Sequence, residues 1–188
     1  MGERRLARLN EEFDVRVERR FLEIHPETPA GGRPVSELGY SPDRWARMME
    51  NLERMGKGEG IVFSERTFTT NSHKALLLAE AAKEEGPKVF GALNEGLFRS
   101  YFTEGRNIGD PRVLREVAQA AGIPAGRLER AWSDAAYEER LARDREAAAQ
   151  IGVTGIPFFI LDDRWILEGA VPVETLREAA RMIPAGRS

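Results

Sequence analysis

Through most of the 188-residue chain apolar residues recur every three or four positions. Strand signals are confined to its two ends. Leu6, Leu9 and Phe13 oppose Arg4, Arg5, Arg8 and Glu12, which predicts a helix over Gly2–Phe13 that starts abruptly, with no capping side chain before it. Asp14–Leu22 alternates, with Val15, Val17 and Phe21 on one side and Arg16, Glu18 and Arg20 on the other, so a strand is expected there. Arg19 interrupts the apolar side of that strand. A loop broken by Pro26, Pro29, Gly31, Gly32 and Pro34 then runs from Glu23 to Tyr40.

Helical signals fill the next hundred residues. Ser41-Pro42-Asp43 carries a cap, a proline at the first helical position and an early acid, followed by the stripe Trp45, Met48, Met49, Leu52 and Met55 up to Gly56. Such a stripe serves either as inter-helix packing or as an adaptable binding surface. After the short apolar segment Ile61–Phe63, Asn71 or Ser72 caps a helix bearing Leu76–Ala79 and Ala82 and ending at Gly86-Pro87. Val89, Phe90, Leu93, Leu97, Phe98, Tyr101 and Phe102 make the most pronounced amphipathic pattern, expected as the central helix of this region. Asp110-Pro111 opens another helix with Val113, Leu114, Val117 and Ala121. A short one follows around Leu128 and Trp132, then a longer one through Tyr137, Leu141, Ala148 and Ile151. The charges Glu138, Glu139, Arg143, Asp144 and Glu146 read as a solvated face of that last helix.

Alternation returns after Gly152. Phe158–Leu161 and Trp165–Leu167 flank Asp162-Asp163-Arg164 as an antiparallel hairpin, and a final helix follows Pro172 with Leu176, Ala179, Ala180 and Ile183. Ala185–Ser188 is expected to fray. Pro157 has no N–H for a ladder, so it belongs at a strand start or an edge. It follows a Gly-bracketed turn, and the Ile156–Pro157 bond is expected to be cis.

Composition narrows the chemistry. The net charge of −3 and a pI near 5.6 offer no attraction for nucleic acid. No apolar run approaches membrane-spanning length and the N-terminus is charged, so a cytoplasmic protein without a membrane partner is expected. The chain has no cysteine, which removes structural disulfides, thiolate metal sites and dithiol catalysis, and with two histidines a His-rich metal site is not expected. No cofactor is called for. Of the two histidines, His73 lies in the first turn of a helix, whose positive end disfavours imidazolium.

Gly152-Val153-Thr154-Gly155-Ile156-Pro157-Phe158-Phe159 resembles the cis-proline loop of DsbA-type thiol–disulfide oxidoreductases. Met1–Leu6, Phe21–Pro26, Phe102–Asp110 with its Asn107-Ile108-Gly109-Asp110 turn, and Gly169–Pro172 resemble the FrnE-like branch. The resemblance runs from Met1 to about Ile183. It implies an α/β fold, a thioredoxin-like core formed by residues 1–40 and 152–188 with an all-helical insertion over 41–151. It also implies a substrate-binding loop of Thr154, Gly155, Ile156 and Pro157, with His25 near the active-site end. From its neighbours alone, His25 is a surface loop residue.

In that family the Cys-x-x-Cys precedes the residues matching Met1–Arg5, so the core expected here is incomplete at its N-terminus. The family's first strand would lie between Asp14–Leu22 and Phe158–Leu161. A start upstream of Met1 is the simplest account. As it stands, association of two chains as a homodimer through the exposed edge is expected. The implied partner is an extended peptide or a thiol substrate, glutathione included. The resemblance leaves three functions open: a FrnE-like oxidoreductase, a glutathione-dependent isomerase or transferase of the kappa-class type, and a non-enzymatic peptide-binding module.

Overall fold

A computed structural model describes residues 1–183, so the fraying expected at Ala185–Ser188 lies outside the described residues. The elements run α1 (Gly2–Glu12), β1 (Arg33–Pro34), α2 (Pro42–Lys57), β2 (Phe68–Thr69), α3 (His73–Ala82), α4 (Pro87–Phe98), α5 (Pro111–Ala120), α6 (Ala125–Ser133), α7 (Ala135–Gln150), β3 (Phe158–Leu161), β4 (Trp165–Glu168) and α8 (Val173–Arg181). No helix among them is long and apolar enough to cross a membrane. The chain divides into two compact units: Met1–Arg20 with the chain from Ala147 on, and Phe21–Glu146. These divisions fall at 20/21 and 146/147 rather than at the expected 40/41 and 151/152. The loop after Arg20 is claimed by the helical body: Phe21 packs near Phe90 and Asn71 Nδ2 donates to the Thr28 carbonyl at 2.6 Å.

In the terminal unit α1 packs on α8. Leu9, Leu176 and Ala180 are buried between them, with Leu6, Phe13, Val15, Phe159, Leu167 and Val171 around that nucleus. β3 and β4 pair antiparallel, Phe159 opposite Leu167 and Ile160 opposite Ile166. Asp162 and Asp163 both adopt positive φ (51° and 53°), the demand of a tight hairpin turn that aspartate tolerates better than most residues.

The strand expected at Asp14–Leu22 does not form. Exposure still alternates, with Phe13, Val15, Val17 and Arg19 half-buried and Asp14, Arg16, Glu18 and Arg20 exposed. The described sheets are β1–β2 and β3–β4, and neither includes this segment. Its periodicity is a strand's, but a strand is defined by hydrogen bonds to a neighbour's N–H and C=O groups, and no ladder among the described residues includes it. Arg19, which broke the apolar side, is instead held by Glu3 through hydrogen bonds at 2.8, 2.9 and 3.1 Å. Arg5, placed by sequence on the polar face, is buried, and its Nη1 donates to the Ala170 and Val171 carbonyls at 2.5 and 2.6 Å. A guanidinium goes inside when backbone carbonyls that have lost water need donors.

The helical unit has one continuous core. α3, rather than the Val89–Phe102 helix expected to be central, is its most enclosed helix: Ala75, Leu77, Leu78, Ala79, Ala81 and Ala82 are all buried, because alanines let neighbours approach from several sides. α4 supplies Phe90, Leu93 and Leu97, and α5 Leu114 and Val117. Gly96 sets how closely α4 and α5 approach, since a Cβ there would lie 2.9 Å from Val117 Cγ1. Tyr137 is 1% exposed, yet its hydroxyl is satisfied by Glu84 and Arg127, both at 3.1 Å. The Met-rich face of α2 stays outside this core, and Met48 is 38% exposed. One feature departs from an all-helical insertion: β1 and β2 pair over two residues, Arg33 with Thr69 and Pro34 with Phe68. Pro34 has no N–H to extend that ladder.

Candidate functional site

Gly152 at φ 74° ends α7, and Val153 N–H returns to the Ala148 carbonyl at 2.9 Å. The chain then runs through Thr154, Gly155 and Ile156, all exposed, into a cis Ile156–Pro157 bond at the mouth of β3. The Pro157 carbonyl accepts from Gly169 N–H at 2.8 Å, which ties the loop to the far end of the hairpin. Ile156 is 59% exposed, and among the described residues neither its N–H nor its C=O has a partner. Among the described residues β3 pairs with β4 alone, so its other edge is open. The first turn of α1 lies against the loop: a Cβ at Gly2 would be 3.4 Å from Pro157 Cβ and 3.5 Å from the Phe159 ring. No side chain caps that helix start.

The structure therefore brings Thr154, Gly155, Ile156 and Pro157 onto one loop beside an open strand edge and a helix N-terminus. Backbone donors and acceptors with apolar side chains can hold an extended strand. They cannot exchange electrons, for the chain contains no thiol. His25 belongs to the helical unit, where it is exposed and its Nδ1 lies 3.5 Å from Glu27 Oε1.

The sequence profile of the DSBA-like thioredoxin domain matches residues 1–181. The chain belongs to that family. Its structure is similar to that of a probable DsbA oxidoreductase from Streptomyces coelicolor. The TM-score is 0.86 at 27% identity, covering 100% of this chain and 86% of the other. A candidate protein disulfide isomerase from Nitrosomonas europaea shares the fold at 18% identity and a TM-score of 0.60, over 74% of this chain and 72% of that one. No curated protein matches the chain. For this member of the DSBA-like family, then, the fold is kept while both redox thiols are missing from the 188 residues.

The helical unit holds an arrangement that sequence reading missed. His73 Nδ1 lies 3.0 Å from Glu23 Oε2 and Nε2 lies 2.8 Å from Glu138 Oε1. Phe21, Leu76 and Leu141 close around them to leave a cavity of about 50 Å³. Burial is the largest single influence on His73 and opposes its charge. The hydrogen bonds and negative charges of Glu138 and Glu23 together outweigh it, so the pKa is raised above the ordinary 6.5. Only imidazolium donates from both nitrogens; the neutral ring would turn a lone pair toward one carboxylate. The helix-end argument from sequence thus loses to two carboxylates from 50 and 65 residues away. Glu138 and Asp144, read as solvated, are both engaged, Asp144 accepting from Phe21 N–H at 3.0 Å.

The Asn107–Asp110 turn is a structural knot. Asn107 Oδ1 accepts from Thr70 Oγ1 at 2.5 Å and from Gly109 N–H at 2.9 Å, while its Nδ2 donates to the Gly31 carbonyl at 3.2 Å. Gly109 is glycine for want of space: a Cβ would sit 2.7 Å from the Ala30 carbonyl oxygen and 2.9 Å from that of Asn71. Asp110 caps α5, accepting from Arg112 N–H at 2.8 Å. Hydrogen bonds from the Arg112 side chain and backbone hold its carboxyl below the usual range.

Proposed function

We propose that this chain is a FrnE-like, cytoplasmic member of its family that binds extended peptide or thiol substrates along Thr154, Gly155, Ile156 and Pro157. Any thiol–disulfide chemistry on such a substrate uses thiols from outside these 188 residues. The observation that carries the reading is Ile156, an exposed residue whose N–H and C=O have no partner among the described residues, beside the open edge of β3. A backbone so placed pairs with an added strand, and the exposed apolar residues Ile160 and Ile166 offer contacts for its side chains. The same open edge suits association of two copies.

NMR titration with a capped, cysteine-free pentapeptide of alternating valine and threonine tests this. Shifts confined to residues 153–161, with dissociation constants of about 0.1–10 mM, are expected for one short added strand. Ile156→Pro removes one of the two backbone partners and should weaken binding about tenfold or more. If the peptide leaves these resonances unmoved while glutathione shifts them and raises Tm, the glutathione-using reading replaces this one. A concentration-independent monomer by light scattering, with no tendency to pair, excludes self-association.

A further inference from the structure

We propose that Arg66 and Tyr101 form a binding site for a carboxylate carried on an apolar group, with Trp45 and Phe102 as its aromatic walls. The site lies wholly within the helical unit and is independent of the Thr154–Pro157 loop. That unit has five half-buried arginines. Arg33 holds Glu27, Arg106 holds Glu116, Arg127 holds Glu84 and Glu85, and Arg140 holds Glu84. Arg66 alone of the five has no carboxylate among the described residues, and its buried Nε, like that of Arg33, has no acceptor there.

What surrounds it instead is three aromatic rings. The guanidinium carbon lies 5.5 Å from the Trp45 ring centre, 5.3 Å from Tyr101 and 5.8 Å from Phe102. Ring faces attract a cation but accept few of a guanidinium's five N–H groups, and a half-buried charge left at that stays under-compensated. One of those groups is spent on Tyr101, whose Oη accepts from Arg66 Nη2 at 2.9 Å. By accepting, the phenol leaves its own proton free to donate, and no described residue takes it. Arg66 and Tyr101 thus present a two-donor cradle of the kind an oxyanion fills, strengthened by full charge on one donor.

The surroundings select an anion with an apolar body. Phe98 is 51% exposed and stacks on Phe102 with ring centres 6.1 Å apart. Met48, 38% exposed, stands one turn beyond Trp45 on the α2 face that the core leaves uncovered. A strongly hydrated inorganic anion gains nothing from such walls, whereas an alkyl or peptide carboxylate buries its carbon against them.

NMR titration of the full chain, following the Arg66 Nε–H and Trp45 indole N–H signals, tests the site with hexanoate and its neutral isostere hexanamide. Saturable shifts at millimolar hexanoate, with a response to hexanamide about tenfold weaker or less, are expected for a charge-assisted contact. Arg66→Gln should abolish the shift at the indole, and Tyr101→Phe should weaken hexanoate several-fold while Tm and the helical spectrum stay near wild type. If Arg66→Gln does not fold, Tyr101→Phe and Arg66→Lys carry the test. Acetyl-Leu-Glu-amide distinguishes the source, since tighter binding than hexanoate assigns an acidic peptide and weaker binding a free acid. Equal response to hexanoate and hexanamide, a response unchanged in both Arg66→Lys and Tyr101→Phe, or no saturation by about 50 mM overturns the proposal.

Discussion

The terminal unit is richer in apolar residues than the helical unit and about equally charged, yet it closes less completely. From Ala75 to Leu141 the helical unit buries one continuous cluster, with Leu78, Leu93 and Leu114 at 0% exposure. The terminal unit buries Leu9, Leu176 and Ala180 and leaves Val15, Phe159 and Leu167 only partly covered. A helix closes its hydrogen bonds within four residues of itself and brings a finished apolar face to its neighbours. A strand brings unsatisfied backbone, so Asp14–Leu22 keeps a strand's alternation and lacks a strand's ladder. The unit made of helices reaches closure with its own residues, and the unit that depends on strands retains open edges.

The largest effect that would break this contrast concerns core truncation. Leu93→Ala should cost about 2–5 kcal/mol, as for any fully enclosed leucine. Leu176→Ala, 1% exposed in the smaller nucleus, should cost less, because partly covered neighbours can collapse into the gap. Urea unfolding gives both costs. Hydrogen exchange adds the location: amides of 14–18 should exchange freely while those of 77–82 are protected by orders of magnitude. Equal costs, or protected amides at 14–18, would show that the terminal unit is as closed as the helical one.

A middle-sized effect sharpens the contrast inside the helical unit. Gly109→Ala should destabilise by about 1–3 kcal/mol, since the added methyl meets two backbone carbonyls that cannot rotate away. Asn107→Ala, which removes the amide that gathers Thr70, Gly31 and Gly109, should cost a similar amount. Melting curves of the two variants check this, and wild-type stability in either would mean that the knot merely fills a turn.

The smallest effect is the one that depends on pH. His73 is raised in the folded protein, so its contribution is complete below the unfolded pKa near 6.5 and fades as pH climbs through the higher folded value. Wild type should exceed His73→Gln by about 1 kcal/mol near pH 5.5 and by less near pH 8.5. Glu138, with 54% of its side chain exposed against 15% for Glu23, is the carboxylate that lets go when the ring turns neutral. Urea midpoints of both proteins across this range supply the check; a gap that widens with pH contradicts the assignment.

What the sequence determined by itself is whatever closes locally. Asp110-Pro111 and Ser41-Pro42 start helices where they should, with the Asp110 side chain accepting from Arg112 N–H and Ser41 Oγ from Arg44 N–H. Asn71 rather than Ser72 supplies the cap of α3, its Oδ1 accepting from His73 N–H at 2.9 Å, and the hairpin turns at Asp162-Asp163. The lack of cysteine excluded dithiol exchange by these 188 residues themselves. Only the tertiary structure decided that Arg5 goes inside, that His73 meets Glu23 and Glu138, that α3 is the enclosed helix and that Asp14–Leu22 has no ladder. Caps and turns are satisfied within about four residues, so their partners are visible in the local pattern. A buried guanidinium and a paired imidazole are satisfied by groups 50 to 166 residues away, and no local pattern names those groups.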